Sequence, residues 1–281
     1  MQISPETLLR KDGPKLVPMS INISAPEVIE QRRLKEQYER FIFLAPTARI
    51  DVSWLNKAKM NISYTYYKRD PLCEDSPRNI VPNYGNEASV YIRFILDNYD
   101  HYLPDYTAFL HGHETSWHSE LMVQILDGFF WGKHPFMNLN FNFGRHKDTS
   151  WPNLWHRIYV PDIIPQWWDY LFGDILDKGP TTSYCCAQFV VSKERIREVP
   201  KEIWQRWYDW LLAEKVESSR SSRAFEHSWP SILGEPQNAP AYPEGMCYIT
   251  RCSKPDQELA KLRDRACEIP PGWEATREYR C

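Results

Sequence analysis

Three imidazoles gather in one short stretch of this 281-residue chain, Tyr106–His118, which reads YTAFLHGHETSWH. An apolar, β-prone run stops at His111-Gly112-His113, and Ser116-Trp117-His118 follows. In an open α/β sheet, chemistry collects where strands end at their carboxyl edge. These side chains are therefore candidates to bind a metal, carry protons or hold a polar substrate. His111 and His113 stand two apart, which in an extended chain turns both to one side. His118 is available as a third ligand to an ion such as zinc. Glu114 is the only carboxylate near ligand spacing. The expectation is accordingly no metal and no cofactor: His113 transfers protons and His111 and His118 touch substrate. A histidine that ties down its loop through backbone hydrogen bonds is the structural alternative.

Two carboxylates have the right setting for acid–base work. Glu87 falls in the first turn of a helix, where the helix dipole favours a negative charge. Its functional reading joins it to Asn83 and Gly85 in a turn that binds an anion or amine, since backbone N–H groups at a helix start can hold a phosphate. Arg93, on the same helix, faces away from the apolar stripe and is either solvated or paired with an acid. Glu226 with His227 is the late acid–base pair, because a buried Glu of raised pKa can take a proton near neutral pH. A salt-bridged helix start explains Glu226 equally well. Cys185-Cys186 precede an apolar strand, and a buried inert thiol is the commonest fate of such residues. A nucleophilic cysteine would need a lowered pKa beside a base. Gln188 could present its amide to a substrate from the same strand. Asp70-Pro71-Leu72-Cys73-Glu74-Asp75 is an acidic loop able to hold a cation or a guanidinium, with a solvated loop as the simpler reading.

The elements that must position these groups read as layered α/β architecture. Ser24-Ala25-Pro26-Glu27 opens a helix that runs to about Arg40, with Ser as N-cap and Pro in the first turn. Phe41–Ala45 follows as a buried strand and Ile62–Tyr67 as a second. Ala88, Tyr91, Ile92, Ile95, Leu96 and Tyr99 lie on one stripe of an amphipathic helix. Leu103-Pro104-Asp105 turns the chain into the strand Tyr106–Leu110. Beyond the histidines, Leu121–Leu126 is helical and residues 128–165, rich in Trp, Pro, Asn and Gly, carry no clear pattern. Gln188–Val191 is a strand, Ser192 caps a short helix from Lys193, and Ile203–Leu212 is a strong helix. Glu226–Leu233 forms another despite Pro230. The organisation expected is an arm at 1–24, one α/β catalytic-type domain at 25–234 and a Pro-rich charged tail at 235–281.

Composition bounds the partners. A net charge of −3 carries no global nucleic-acid signature, so a polyanion such as tRNA would need a local basic face. Arg32-Arg33-Leu34-Lys35 and the group Lys193, Arg195, Arg197 and Lys201 could supply one, against the plainer reading of solvated helix faces. The amino terminus has no apolar signal core and no run of about 18 apolar residues occurs, which leads to the expectation of a cytoplasmic protein off the membrane. The seven Cys show no paired metal spacing, and reduced thiols are expected.

Together these blocks resemble a family found largely in fungi and long labelled a domain of unknown function. Its pattern pairs N-x-G-x-E-A with Y-x-R-x-I-x-x-N-Y, L-P-D, F-L-x-G-H and S-W-H. Here these stand as Asn83, Gly85, Glu87, Ala88, Tyr91, Arg93, Ile95, Asn98, Tyr99, Leu103-Pro104-Asp105, Phe109 to His113 and Ser116-Trp117-His118. Cys185 to Ser192 is similar to its C-C-A-Q-F-x-V-S block, and Glu226, Trp229 and Gly234 to its closing E-x-x-W-x-x-x-G. The match runs in order over roughly residues 40–234. Many members carry an amino-terminal membrane anchor, which is not expected here.

The resemblance implies a single GT-A-like (Rossmann-like) domain. It also implies similarity to fungal arginine-containing cyclodipeptide synthases, which join two aminoacyl groups from charged tRNAs into a cyclic arginyl dipeptide in secondary metabolism. On that reading Glu87 or Glu226 is the base, with Asn83, Gly85, Arg93, His111, His118, Gln188 and Trp229 around the substrate. A GT-A-like glycosyltransferase using a nucleotide sugar is the alternative, yet the chain contains no Asp-x-Asp to hold a divalent ion, and Asp174-Ile175-Leu176-Asp177 has the wrong spacing. A third expectation is a non-catalytic binder with the Trp-rich 128–168 segment as its ligand platform.

Overall fold

The computed structural model describes residues 38–46, 51–60, 62–67, 84–115, 122–140, 155–184 and 186–238. In chain order these form β1 (Arg40–Ala45), β2 (Ser63–Tyr66), α1 (Glu87–Asn98), β3 (Tyr106–His111), α2 (Met122–Gly128), β4 (Phe136–Asn138), β5 (Trp155–Ile158), α3 (Trp168–Phe172), β6 (Thr181–Tyr184), β7 (Phe189–Ser192), α4 (Lys193–Glu198), α5 (Lys201–Leu212) and α6 (Ser218–Ile232). Short 3-10 turns cover Ser53–Lys57 and Val160–Asp162.

The main sheet runs β2-β1-β3-β7-β4. β1 is parallel to β2 and β3, whereas β7 is antiparallel to β3 and β4. The result is the expected α/β layered fold, built on a mixed sheet. β5 and β6 form a separate antiparallel pair.

Alternation along the strands divides the core in two. Phe41, Phe43, Phe109, Phe189 and Val191 pack with α1, α5 and α6 on one face. Ile42, Leu44, Ala108, Leu110 and Val190 pack with α2 and Trp54 on the other. Phe109 faces the α1 side, so period two sends His111 to that side as well.

Local signals held where they were strong. α1 buries Ala88, Tyr91, Ile92 and Ile95 of the stripe read from sequence, half-buries Leu96 and Tyr99, and adds Val90 and Phe94, because α5 and α6 cover more of its circumference than one stripe. Ser192 Oγ accepts from the Arg195 N–H and caps α4. The helix holding Glu226 starts earlier than Glu226, at Ser218, and continues through Pro230. Over Tyr38–Arg40 the helix expected to reach Arg40 is not formed: Tyr38 and Glu39 are not helical and Arg40 opens β1, pairing with Tyr106. The rest of that expected helix lies outside the described residues. Phe136–Asn138 is a strand the sequence did not announce. The arm, the acidic 70–75 loop and the tail beyond residue 238 lie outside the described residues. Among the described residues no helix is long and apolar enough to cross a membrane.

Candidate functional site

Four elements converge on Cys186-Ala187-Gln188, the three residues before β7. From α1, the Tyr91 hydroxyl donates to the Ala187 carbonyl at 2.8 Å. At the end of β3, the His111 backbone N–H donates to Gln188 Oε1 at 3.1 Å. After β4, Asn140 Nδ2 donates to the carbonyls of Cys186 and Gln188 at 2.5 and 3.1 Å. From α6, the Glu226 carboxylate accepts from the Cys186 backbone N–H. Cys186 has φ +70°, a left-handed conformation that a non-glycine residue keeps only when its surroundings hold it there.

The same geometry brings the two carboxylates together. The Gly85 N–H donates to Ser218 Oγ at 3.1 Å and Asn86 Nδ2 to Ser222 Oγ at 2.8 Å, pinning the start of α1 to α6. Glu87 follows Asn86, and Glu226 lies one helical turn beyond Ser222. Burial pushes the Glu226 carboxyl up, and the negative charge of Glu87 adds to it. Arg223 and the Cys186 N–H oppose the shift, and the balance leaves the carboxyl at about 7. The burial has a visible source. Trp229 stands three residues on along α6, on the same face as Glu226, and packs on Tyr91 and Phe189 with ring centroids 6.2 and 5.5 Å apart. A carboxyl poised near neutral pH can accept and return a proton at working pH.

His111 is buried at the strand end and His113 partly so, with ring centroids 5.2 Å apart in a tilted edge-to-face arrangement. The loop between them is held from the opposite face, where Trp54 Nε1 donates to the Gly112 carbonyl at 2.8 Å. Glu114 pairs with Lys57 at 2.6 Å. Among the described residues no three His, Cys, Asp or Glu side chains gather as a metal would require. Asn83 and His118 lie outside the described residues.

Several expected substrate contacts have other work. Gln188 is 2% exposed, and its amide is spent on His111 and on Asn140 Oδ1 at 3.1 Å, so it shapes the site rather than meeting a ligand. Gly85 serves its turn: its φ is +65°, and a Cβ there would come within 2.5 Å of Leu211 Cδ2. Arg93 pairs with Asp97 at 2.9 Å and lies over the Tyr208 ring, the acid-paired alternative, about 9 Å along α1 from Glu87. Trp229 is 1% exposed and belongs to the core. His227 is buried next to Glu226 in the chain but points elsewhere, as adjacent helical residues do.

One further expectation is corrected, that of reduced thiols. On the basic face, Lys193 pairs with Asp105 at 2.6 Å, Arg195 with Glu198 at 2.9 Å, and Lys201 with Asp100. Cys186 is disulfide-bonded rather than reduced, and every other cysteine of the chain falls outside the described residues. Within the Trp-rich 128–168 segment, Trp131 and Trp168 are core residues, and residues 141–154 lie outside the described residues.

Sequence reasoning missed Asn138 and Asn140. Asn138 Oδ1 accepts from the Asn140 backbone N–H at 2.8 Å, and Asn140 is 0% exposed. The available signal was the alternation of Asn138, Asn140 and Asn142 with apolar residues, a period of two.

A family model described as a protein of unknown function, DUF3431, matches residues 42–250, most of the chain, and the chain belongs to that family. No curated protein and no solved structure matches it.

Proposed function

We propose that this DUF3431 member is an aminoacyl-transferring enzyme that joins two aminoacyl groups from charged tRNAs into an arginine-containing cyclic dipeptide. The observation that carries the reading is the Glu226 carboxyl, at about 7 beside Glu87. An α-amine titrates at about 7.7–8. A base near 7 is matched to that proton, and the match is what general base catalysis rewards.

The chemistry balances without a cofactor. Glu226 takes a proton from the ammonium of one aminoacyl group, and the freed amine attacks the ester carbonyl of the other. A C–N bond forms, the ester C–O bond breaks, and the tRNA ribose oxygen leaves with a proton. A second attack by the remaining amine closes the six-membered ring and releases the second tRNA. His113 is the partner for proton return, and His111 adds to the polar surroundings. Glu87 keeps the Glu226 carboxyl high and offers negative charge to a cationic substrate.

The test is purified full-length chain incubated with arginyl-tRNA and each other charged tRNA, with products read by mass spectrometry. A cyclic arginyl dipeptide, lost in Glu226→Gln, is expected. Its absence across all pairings, alongside an active control synthase, refutes the reading.

The Cys186 disulfide favours a second reading. Lasting disulfides belong to oxidising compartments and are rare in the cytosol. A GT-A-like glycosyltransferase would suit such a compartment, with Glu226 deprotonating the acceptor hydroxyl. It predicts thermal stabilisation by a nucleotide sugar, and no shift across a uridine and guanosine diphosphate sugar panel counts against it.

A further inference from the structure

Asn140 stands outside every role assigned so far, yet it holds both halves of the site. It is 0% exposed, so its bonds act where water does not compete and each is correspondingly strong. One branch runs from Asn140 Nδ2 to the Cys186 carbonyl at 2.5 Å, and the N–H of Cys186 reaches the Glu226 carboxylate. The other runs from Asn140 Oδ1 to Gln188 Nε2 at 3.1 Å, and Gln188 Oε1 receives the His111 N–H at 3.1 Å. A third bond, Nδ2 to the Gln188 carbonyl at 3.1 Å, closes the gap between the branches. Asn138 Oδ1 accepts from the backbone N–H of Asn140 at 2.8 Å and lies 3.3 Å from its Nδ2, where it shares a hydrogen already directed at a carbonyl.

A carboxamide supplies donor and acceptor together at this point. The Cys186 and Gln188 carbonyls each accept a backbone N–H as well, from Gln188 at 3.0 Å and Leu139 at 2.8 Å. Asn140 Nδ2 adds a second donor to both while its Oδ1 serves Gln188 Nε2. A carboxylate would lose the donors and an apolar side chain both functions. The left-handed Cys186 has little intrinsic preference for its conformation and depends on such bonds.

We propose that Asn140 is a positioning residue that aims the Cys186 N–H at Glu226 while locking the His111 strand end to the same three-residue turn. This rests on the reading of Glu226 as the working carboxyl, but its test needs no turnover.

In the full chain labelled at the glutamate carboxyl carbons, the Glu226 resonance, assigned with Glu226→Gln, is followed with pH. Asn140→Leu should raise the Glu226 midpoint by about one pH unit, a tenfold change in its protonation constant, because the carboxylate loses its donor. A role confined to stability would lower the melting temperature of the variant and leave the midpoint in place. A folded Asn140→Leu with an unchanged midpoint overturns the proposal. In the wild-type chain, the Asn140 side-chain amide and Cys186 backbone amide should titrate with the Glu226 midpoint and become flat in Glu226→Gln. This second measurement decides the matter if Asn140→Leu does not fold, and an Asn140 amide indifferent to that midpoint overturns the proposal. A shifted titration with no dipeptide formed keeps the positioning role and removes only the aminoacyl-transfer reading.

Discussion

Replacing Glu226 with glutamine should change the pH dependence of stability in a defined direction. In the folded chain the carboxyl titrates at about 7, against 4.5 as its ordinary value. Between those values the native chain holds a proton that the unfolded chain has released, so stability falls as pH rises. The slope is up to about 1.4 kcal/mol per pH unit, and the window spans about 3 kcal/mol in all. Glutamine carries no such proton and still offers an oxygen to the Cys186 N–H. The variant should therefore match or trail the wild type at pH 5 and overtake it above pH 7. The assay is urea unfolding of both proteins at pH 5, 6, 7 and 8. The midpoint difference should change by on the order of 1 M urea across the series. Glu39 and Glu235, also raised by burial, and His134, lowered by it, contribute to both proteins alike, so the difference isolates Glu226. A wild-type-minus-variant difference that stays constant from pH 5 to 8 would refute the assigned burial and charge of this carboxyl.

Gly85→Ala should lower stability by about 1–3 kcal/mol, read as a drop in melting temperature, because φ +65° and the approach of Leu211 both exclude a Cβ. Tyr91→Phe removes the hydroxyl that holds the Ala187 carbonyl and should cost about 1–3 kcal/mol in urea unfolding. Peptide mapping after alkylation should leave Cys186 unlabelled until a reductant is added, and full labelling of unreduced protein would contradict the disulfide.

How much of this was legible depended on distance along the chain. The α1 stripe, the Ser192 cap and the strand ending at His111 are local patterns, and each appears where periodicity or capping chemistry put it. Glu87 and Glu226 were each visible as carboxylates in suitable settings. Their meeting was not, because it depends on Asn86 and Gly85 docking against Ser222 and Ser218 on a distant helix. Gln188 illustrates the reverse error. Its amide was read as facing a ligand, but a buried amide finds protein partners first, and here they are His111 and Asn140. The ion partners of the basic residues of α4 and α5 were equally invisible in the sequence: Asp100 and Asp105, near the turn into β3, pair with two of them. Asn140 went unnoticed because it belongs to a stretch with few β-branched residues, where burial rather than propensity makes the strand.

The most direct measurement is the carboxyl titration of Glu226 in the intact chain, followed by carbon NMR with and without Glu87→Gln. The account predicts a midpoint of about 7 in the wild type, falling when the neighbouring charge is removed. A wild-type midpoint near 4.5, indifferent to Glu87, would contradict it.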